Sequence, residues 1–251
     1  MRPKCASLAM ALGFVTSGIV AAAAEITATT SVVSANVFRG QRLAGVSLQP
    51  TIEAVGGPAS AGIAASAALQ HRPSDVAEFE TDLFAGYRWP LSGRVGLRPG
   101  FTAYFYRGAP ANYRSAVIEP NLALDFTVGA VRFTPVYYRD LTRNGSTVEL
   151  NAAVALPLPT LGTELDLTLT AGTSHLNDAF SAAAPKAALR GDYGQFDASV
   201  PWQITTHAKI TLGLSYVTAT NAHLQPRSGP RVGNPLATER AVVRLAYSYA
   251  F

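Results

Sequence analysis

Residues 239–251 alternate with a period of two: Val243, Leu245, Tyr247, Tyr249 and Phe251 are apolar or aromatic, and Arg244, Ala246, Ser248 and Ala250 stand between them. Successive side chains of an extended strand point to opposite faces, so this segment offers one face to lipid and the other to water. The same alternation recurs from residue 25 onward at about 9–11 residues or somewhat longer, the length of a membrane-spanning β-strand. Twelve segments carry it: 25–37, 46–55, 61–70, 76–89, 93–106, 116–126, 130–140, 146–156, 163–174, 186–199, 207–219 and 239–251. The expected fold is all-β, a single transmembrane antiparallel β-barrel of about 12 strands, the even count leaving both termini on one side.

Some segments state the pattern plainly. Ile118, Leu122, Leu124 and Phe126 alternate with Glu119, Asn121, Ala123 and Asp125, and Leu165, Leu167, Leu169 and Ala171 with Glu164, Asp166, Thr168 and Thr170. A soluble β-sandwich or secreted barrel also has alternating strands, but not so many long ones in succession. The first and tenth segments are the weakest: the Thr-rich stretch 27–31 has little apolar side, and the parity slips around Tyr193–Phe196, as a β-bulge would make it. Connections 56–60, 90–92, 127–129, 157–162 and 201–206 are short, and 107–115, 175–185 and 220–238 are longer. None reads as long enough to fold inward as a constriction loop.

The amino-terminal end points to export. Arg2 and Lys4 precede an apolar run from Leu8 to Val20 and then Ala21, Ala22, Ala23 and Ala24, the pattern of a secretory signal peptide. We expect residues 1–24 to be cleaved and residues 25–251 to form the barrel domain. The apolar run is shorter than the ~20 residues of a membrane helix. Cys5 lies before it rather than after, so no lipid anchor is indicated, and without Cys5 neither a disulfide nor a thiolate metal site is available. Removal of Arg2 and Lys4 lowers the net charge from +4 to +2, too little to suggest a nucleic-acid partner.

The last strand and its terminal Phe251 resemble the C-terminal signature of Gram-negative outer-membrane β-barrels, which implies both termini in the periplasm and recognition of Phe251 by the barrel-insertion machinery. A narrower resemblance runs through the chain. Ser34-Ala35-Asn36-Val37-Phe38-Arg39-Gly40 resembles the opening motif of the TorF-like putative porins. Glu78-Phe79-Glu80-Thr81-Asp82-Leu83-Phe84-Ala85-Gly86-Tyr87, Tyr104-Phe105-Tyr106, Tyr137-Tyr138-Arg139-Asp140, Val200-Pro201 and Leu212-Gly213-Leu214-Ser215-Tyr216 are similar to later segments of that family. Asn36 and Arg107 depart from its pattern. The resemblance implies an outer-membrane porin of undefined substrate and brings no catalytic residue.

If apolar faces meet lipid, the opposite faces line the lumen with Glu53, Glu78, Glu80, Asp82, Arg94, Arg98, Glu119, Asp125, Arg132, Glu149, Glu164, Asp166, Arg190, Lys209 and Arg244, with Asp192 among them. Acidic and basic strands stand side by side, and opposite charges on neighbouring strands pair favourably. Two readings follow. Opposed charges can form a transverse field in a narrow pore for a small hydrophilic solute, or the same side chains can pair and fill the lumen. Tyr87, Trp89, Phe105, Tyr106, Tyr113, Tyr137, Trp202, Tyr247 and Phe251 fall near strand ends, where interfacial girdles belong. Arg107, Arg114, Arg143, Lys186, Arg227 and Arg231 fall in the loops expected on the outer side, where guanidinium groups suit lipopolysaccharide phosphates as well as ordinary solvent.

Outer-membrane lipid hydrolysis is the enzymatic alternative, and Ser174-His175 with Asn177 is its nearest constellation. Adjacent residues of a strand point to opposite faces, which opposes a Ser–His hydrogen bond. His71, His207 and His223 show no metal-ligand spacing, and neither a cofactor nor a metal is expected. A structural or adhesive barrel is the third class. The expectation is a passive, non-enzymatic channel among outer-membrane lipids and lipopolysaccharide, with the solute and any oligomer undefined.

Overall fold

The computed structural model describes residues 24–69, 78–108, 115–176, 189–219, 225–226 and 239–251. In chain order the strands are β1 (Glu25–Val33), β2 (Asn36–Phe38), β3 (Gln41–Ala44), β4 (Ser47–Gly56), β5 (Ala59–Ala68), β6 (Phe79–Tyr87), β7 (Trp89–Ser92), β8 (Val95–Arg107), β9 (Ala116–Val128), β10 (Val131–Asp140), β11 (Gly145–Leu158), β12 (Thr163–Leu176), β13 (Leu189–Gln203), β14 (Ala208–Ala219), β15 (Gln225–Pro226) and β16 (Glu239–Ala250). Twelve of these are nine to fifteen residues long, and each pairs antiparallel with the next. β1 pairs with both β4 and β16, so the sheet closes and leaves no unpaired edge in the barrel wall.

The alternation read from the sequence is the alternation of the wall. Ile52, Ile63, Leu83, Phe101, Leu122, Leu150, Leu169, Leu212 and Leu245 are exposed on the exterior. An apolar exterior of this extent is what a surface solvated by hydrocarbon requires. β5, almost all Ala, Gly and Ser, has weak intrinsic strand preference and is held as a strand by pairing to β4 and β6 along its length.

Aromatic residues gather toward both ends of the exterior. Tyr87 meets Trp89 edge-on at 5.3 Å, Tyr249 meets Phe251 at 5.0 Å, and Phe126 stacks on Phe133 at 5.4 Å, all close to the rim where β1 begins and β16 ends. Phe79, Phe105, Tyr137 and Tyr216 are exposed nearer the opposite rim. Of the girdle expected from sequence, Tyr106 is an exception: it is buried on the lumen side of β8, and Tyr113 lies outside the described residues.

Two strand expectations are corrected. The first strand ends at Val33 rather than residue 37: the Ser34 amide still donates to Val243 O at 2.9 Å, but the Val243 amide donates to Ser34 Oγ at 3.0 Å in place of a backbone carbonyl, so the ladder stops there. The tenth segment has no bulge, for β13 keeps unbroken register with β12 and β14. The apparent slip arises because Tyr193, an aromatic residue, is on the lumen face while Gly194 occupies a lipid-facing position.

Candidate functional site

The connection between β1 and β4 turns into the barrel and forms a hairpin of β2 and β3. Phe38 pairs with Gln41, which leaves Arg39 and Gly40 as a two-residue turn with φ of 48° and 77°. Positive φ at both central positions is the mark of a type I′ turn, which suits the twist of a tight hairpin. Gly takes this conformation freely, whereas Arg does so only when its surroundings fix it.

Those surroundings are on the far wall. The Arg39 guanidinium donates from Nη1 to Glu119 Oε2 at 2.7 Å and from Nη2 to Oε1 at 2.8 Å. This bidentate pair joins the hairpin to β9, and the Glu119 side chain is only 2% exposed. The guanidinium also lies 4.2 Å from the Tyr138 ring and 4.6 Å from that of Phe38, so it sits among aromatic faces that stabilise a cation. At the hairpin's base Asn36 Nδ2 donates to Ser66 Oγ at 3.0 Å, and Gln49 Nε2 donates to Asn36 Oδ1 at 3.3 Å. Val37 packs on the buried cluster of Val33, Ala35 and Val242. The expectation that no loop folds inward is therefore wrong: the connection between β1 and β4 crosses the lumen.

The hairpin lies against one side of the wall. Between it and β5, β6 and β8 a void of about 10 Å³ remains, bordered by Asn36, Ser66, Glu80 and Tyr106. Wider spaces are left elsewhere. A cavity of about 510 Å³ is bordered by Arg39, Arg98, Tyr104, Tyr138, Glu149 and Tyr193, and a crevice of about 150 Å³ by Val37, Gln49, Asp197, Ser215 and Arg244. Val37 and Gln195 border both. Arg244 borders the crevice and also a vestibule of about 700 Å³ near the rim where β1 begins and β16 ends, lined by Glu164, Asp166 and Lys209 among others.

The sequence-predicted residues divide accordingly. Glu53, Glu80, Asp82, Arg98, Glu119, Asp125, Arg132, Glu149, Glu164, Asp166, Lys209 and Arg244 occupy inward positions of their strands. Glu78 and Arg94 are exposed just beyond the ends of β6 and β8. Arg190 departs from expectation: it is partnered across the sheet with outward His175, and it approaches Asp192 at 3.8 Å with both side chains more than half exposed. Charge pairing between neighbouring strands is sparse among the described residues. Arg98 reaches Asp125 at 3.6 Å, and Asp125 also accepts from Thr134 Oγ1 at 2.8 Å. Glu149 accepts from the Tyr193 hydroxyl at 2.6 Å.

Arg143, expected in a loop open to lipopolysaccharide or solvent, pairs instead with buried Asp140, whose Oδ1 accepts from the Thr142 and Arg143 amides and so caps the β10–β11 turn. Arg107 is exposed, and Arg114, Lys186, Arg227, Arg231, His71 and His223 lie outside the described residues. Ser174 Oγ is 2.9 Å from Thr147 Oγ1 inside the barrel while His175 is exposed outside it, so the two do not meet. No group of His, Cys, Asp and Glu suited to a metal occurs among the described residues.

A closed twelve-strand sheet with an apolar exterior and a polar interior is an integral outer-membrane β-barrel. Its fold is similar to that of the KdgM porin (TM-score 0.53, 12% identity, covering 90% of this chain and 99% of that one). The KdgM porin in complex with disordered oligogalacturonate is similar to the same degree (TM-score 0.52, 11% identity, 90% and 99%). No protein-family model matches the sequence, and no curated protein matches it.

Proposed function

We propose that this protein is a porin-like channel through which small hydrophilic solutes diffuse passively, narrowed by the β2–β3 hairpin. The observation that carries the reading is the chain of polar spaces beside the hairpin, each sharing a lining residue with the next: Arg244 joins vestibule to crevice, and Val37 and Gln195 join crevice to cavity. The fold likeness to KdgM supports it, and so does the resemblance of several segments to TorF-like porins, one of which, 34–40, forms β2 and the turn of the hairpin. The rim with the chain ends and short turns faces the periplasm in this reading, and the other rim, with Arg107, meets lipopolysaccharide. The inward charges from Glu53 to Arg244 line the path. The chain performs no catalysis and uses no cofactor.

Residues 25–251, refolded and inserted in a planar bilayer under a salt gradient, test this. Discrete conductance steps are expected, larger in Arg39→Ala, where the hairpin loses its anchor. A folded barrel silent in both forms would leave a closed envelope barrel as the reading, which the tight seal of the hairpin against β5, β6 and β8 favours.

A further inference from the structure

Asp166, Ser199, Gly213 and Arg244 are successive partners across β12, β13, β14 and β16. The carboxylate and the guanidinium thus flank two small residues on one row of the inner wall. Neighbouring strands are about 4.8 Å apart, so three intervals separate their backbones by about 14 Å. Arg244 leans into that span: a Cβ on Gly213 would stand 3.4 Å from Nε and 3.6 Å from Nη2, and 3.6 Å from Ser199 Cβ. Glu164 extends the acidic side toward the rim, and Lys209 extends the basic side.

All four charged groups border the vestibule of about 700 Å³, a size that suits small-molecule sites. None of them forms an ion pair among the described residues, whereas Arg39, Arg98 and Arg143 each have a carboxylate. Unpaired opposite charges facing across a polar space are an electrostatic template. An anion is drawn to one side and repelled by the other, and a cation likewise. A neutral solute gains little. A solute with an ammonium at one end and a carboxylate at the other satisfies both sides at once.

We propose that this vestibule selects zwitterions of the amino-acid and short-peptide class. The ammonium is held at Asp166 and Glu164, and the carboxylate at Arg244, whose guanidinium can bind it bidentately, with Lys209 adding charge. Because Arg244 also borders the crevice beside the hairpin, a solute held there is already aligned for the narrow passage. The proposal rests on the channel reading.

The test is flux into proteoliposomes, corrected for empty vesicles, of three solutes of similar size: glycylglycine, N-acetylglycinate, which lacks the ammonium, and glycylglycinamide, which lacks the carboxylate. Potassium chloride conductance of the same preparation is measured in parallel. Glycylglycine is expected to pass severalfold faster than either analogue. Glu164→Gln with Asp166→Asn should remove its advantage over N-acetylglycinate, and Arg244→Gln with Lys209→Gln its advantage over glycylglycinamide. Should the variants fail to fold, wild-type protein still decides: the preference must vanish when salt shortens the Debye length from about 30 Å at 0.01 M to about 3 Å at 1 M. Equal flux of the three solutes through a conducting barrel, or a preference that survives high salt, overturns the proposal alone. Absence of conductance overturns the channel reading as well.

Discussion

Tyr193 on β13 reaches over Gly172 on β12 to donate its hydroxyl to Glu149 on β11 at 2.6 Å. The three residues stand on one row, and a side chain at the middle position would overlap the tyrosine ring. The same arrangement places Phe84 over Gly62, Leu176 over Gly145 and Arg244 over Gly213. A glycine on the inner face therefore lets a long neighbour lie flat along the wall and keeps the space beside it open.

Gly172→Ala should displace Tyr193 and break its bond to Glu149, lowering barrel stability by about 1–3 kcal/mol through overpacking. Gly194→Ala is the control, because a Cβ there makes only ordinary contact, 3.5 Å from Thr218 Cγ2. Urea unfolding in lipid vesicles compares the two. Equal losses would mean that the glycine matters through its backbone rather than through the tyrosine.

Removing Glu119 leaves a buried guanidinium without its counter-charge. Glu119→Ala should destabilise the barrel by about 3–5 kcal/mol or release the hairpin from β9. The double variant with Arg39→Ala should be less harmful than the two single losses added together. A double-mutant cycle on the same unfolding assay reads the coupling, and strict additivity would show that the pair anchors nothing.

Asp82 and Asp125 offer a contrast within one lumen. Asp82 has a side-chain hydrogen bond only with the acidic Glu80, and its Oδ1 is buried with no hydrogen-bond partner among the described residues, whereas Asp125 holds Thr134 and faces Arg98. Asp82→Ala should be neutral or stabilising, and Asp125→Ala should cost about 1–3 kcal/mol. The reverse order in melting experiments would contradict this assignment.

Phe251 is 75% exposed, and its amide donates to Ile26 O at 2.9 Å, a bond that any residue can make. Phe251→Ala should refold in vitro with nearly unchanged stability yet reach the membrane of living cells in severalfold smaller amounts. Unchanged membrane levels would remove the terminal aromatic as an insertion signal.

The wall was legible in the sequence because period two is a local property. Each of the twelve long strands overlaps its expected segment, even the Thr-rich β1, whose inward Thr29 bonds Ser248 across the closure. The hairpin was not. Length alone lets 25–37 pass as one strand, but its phase inverts: Ile26, Ala28 and Val32 are the apolar side of β1, whereas Val33, Ala35 and Val37 are apolar beyond it and Ser34 and Asn36 polar. That inversion and Arg39-Gly40, a two-residue turn between short runs, are the local signals of a strand that leaves the wall. Arg190 was misassigned for a related reason: glycines at 191 and 194 blank out the alternation that would have revealed its face. Rows such as Glu149–Gly172–Tyr193 depend on register between strands, which no single segment encodes.

The bond from Arg39 to Glu119 is a chord. It leaves the wall between β1 and β4 and returns at β9, having skipped the arc of β5, β6 and β8. A ring of strands can be squeezed toward an ellipse with little change in its hydrogen bonds, since each pair of neighbours need only pivot slightly. A ring with a brace of fixed length resists squeezing along the brace. The hairpin thus sets the shape of the cross-section as well as its area, and whatever clearance it leaves on its open side is held constant while the surrounding bilayer flexes.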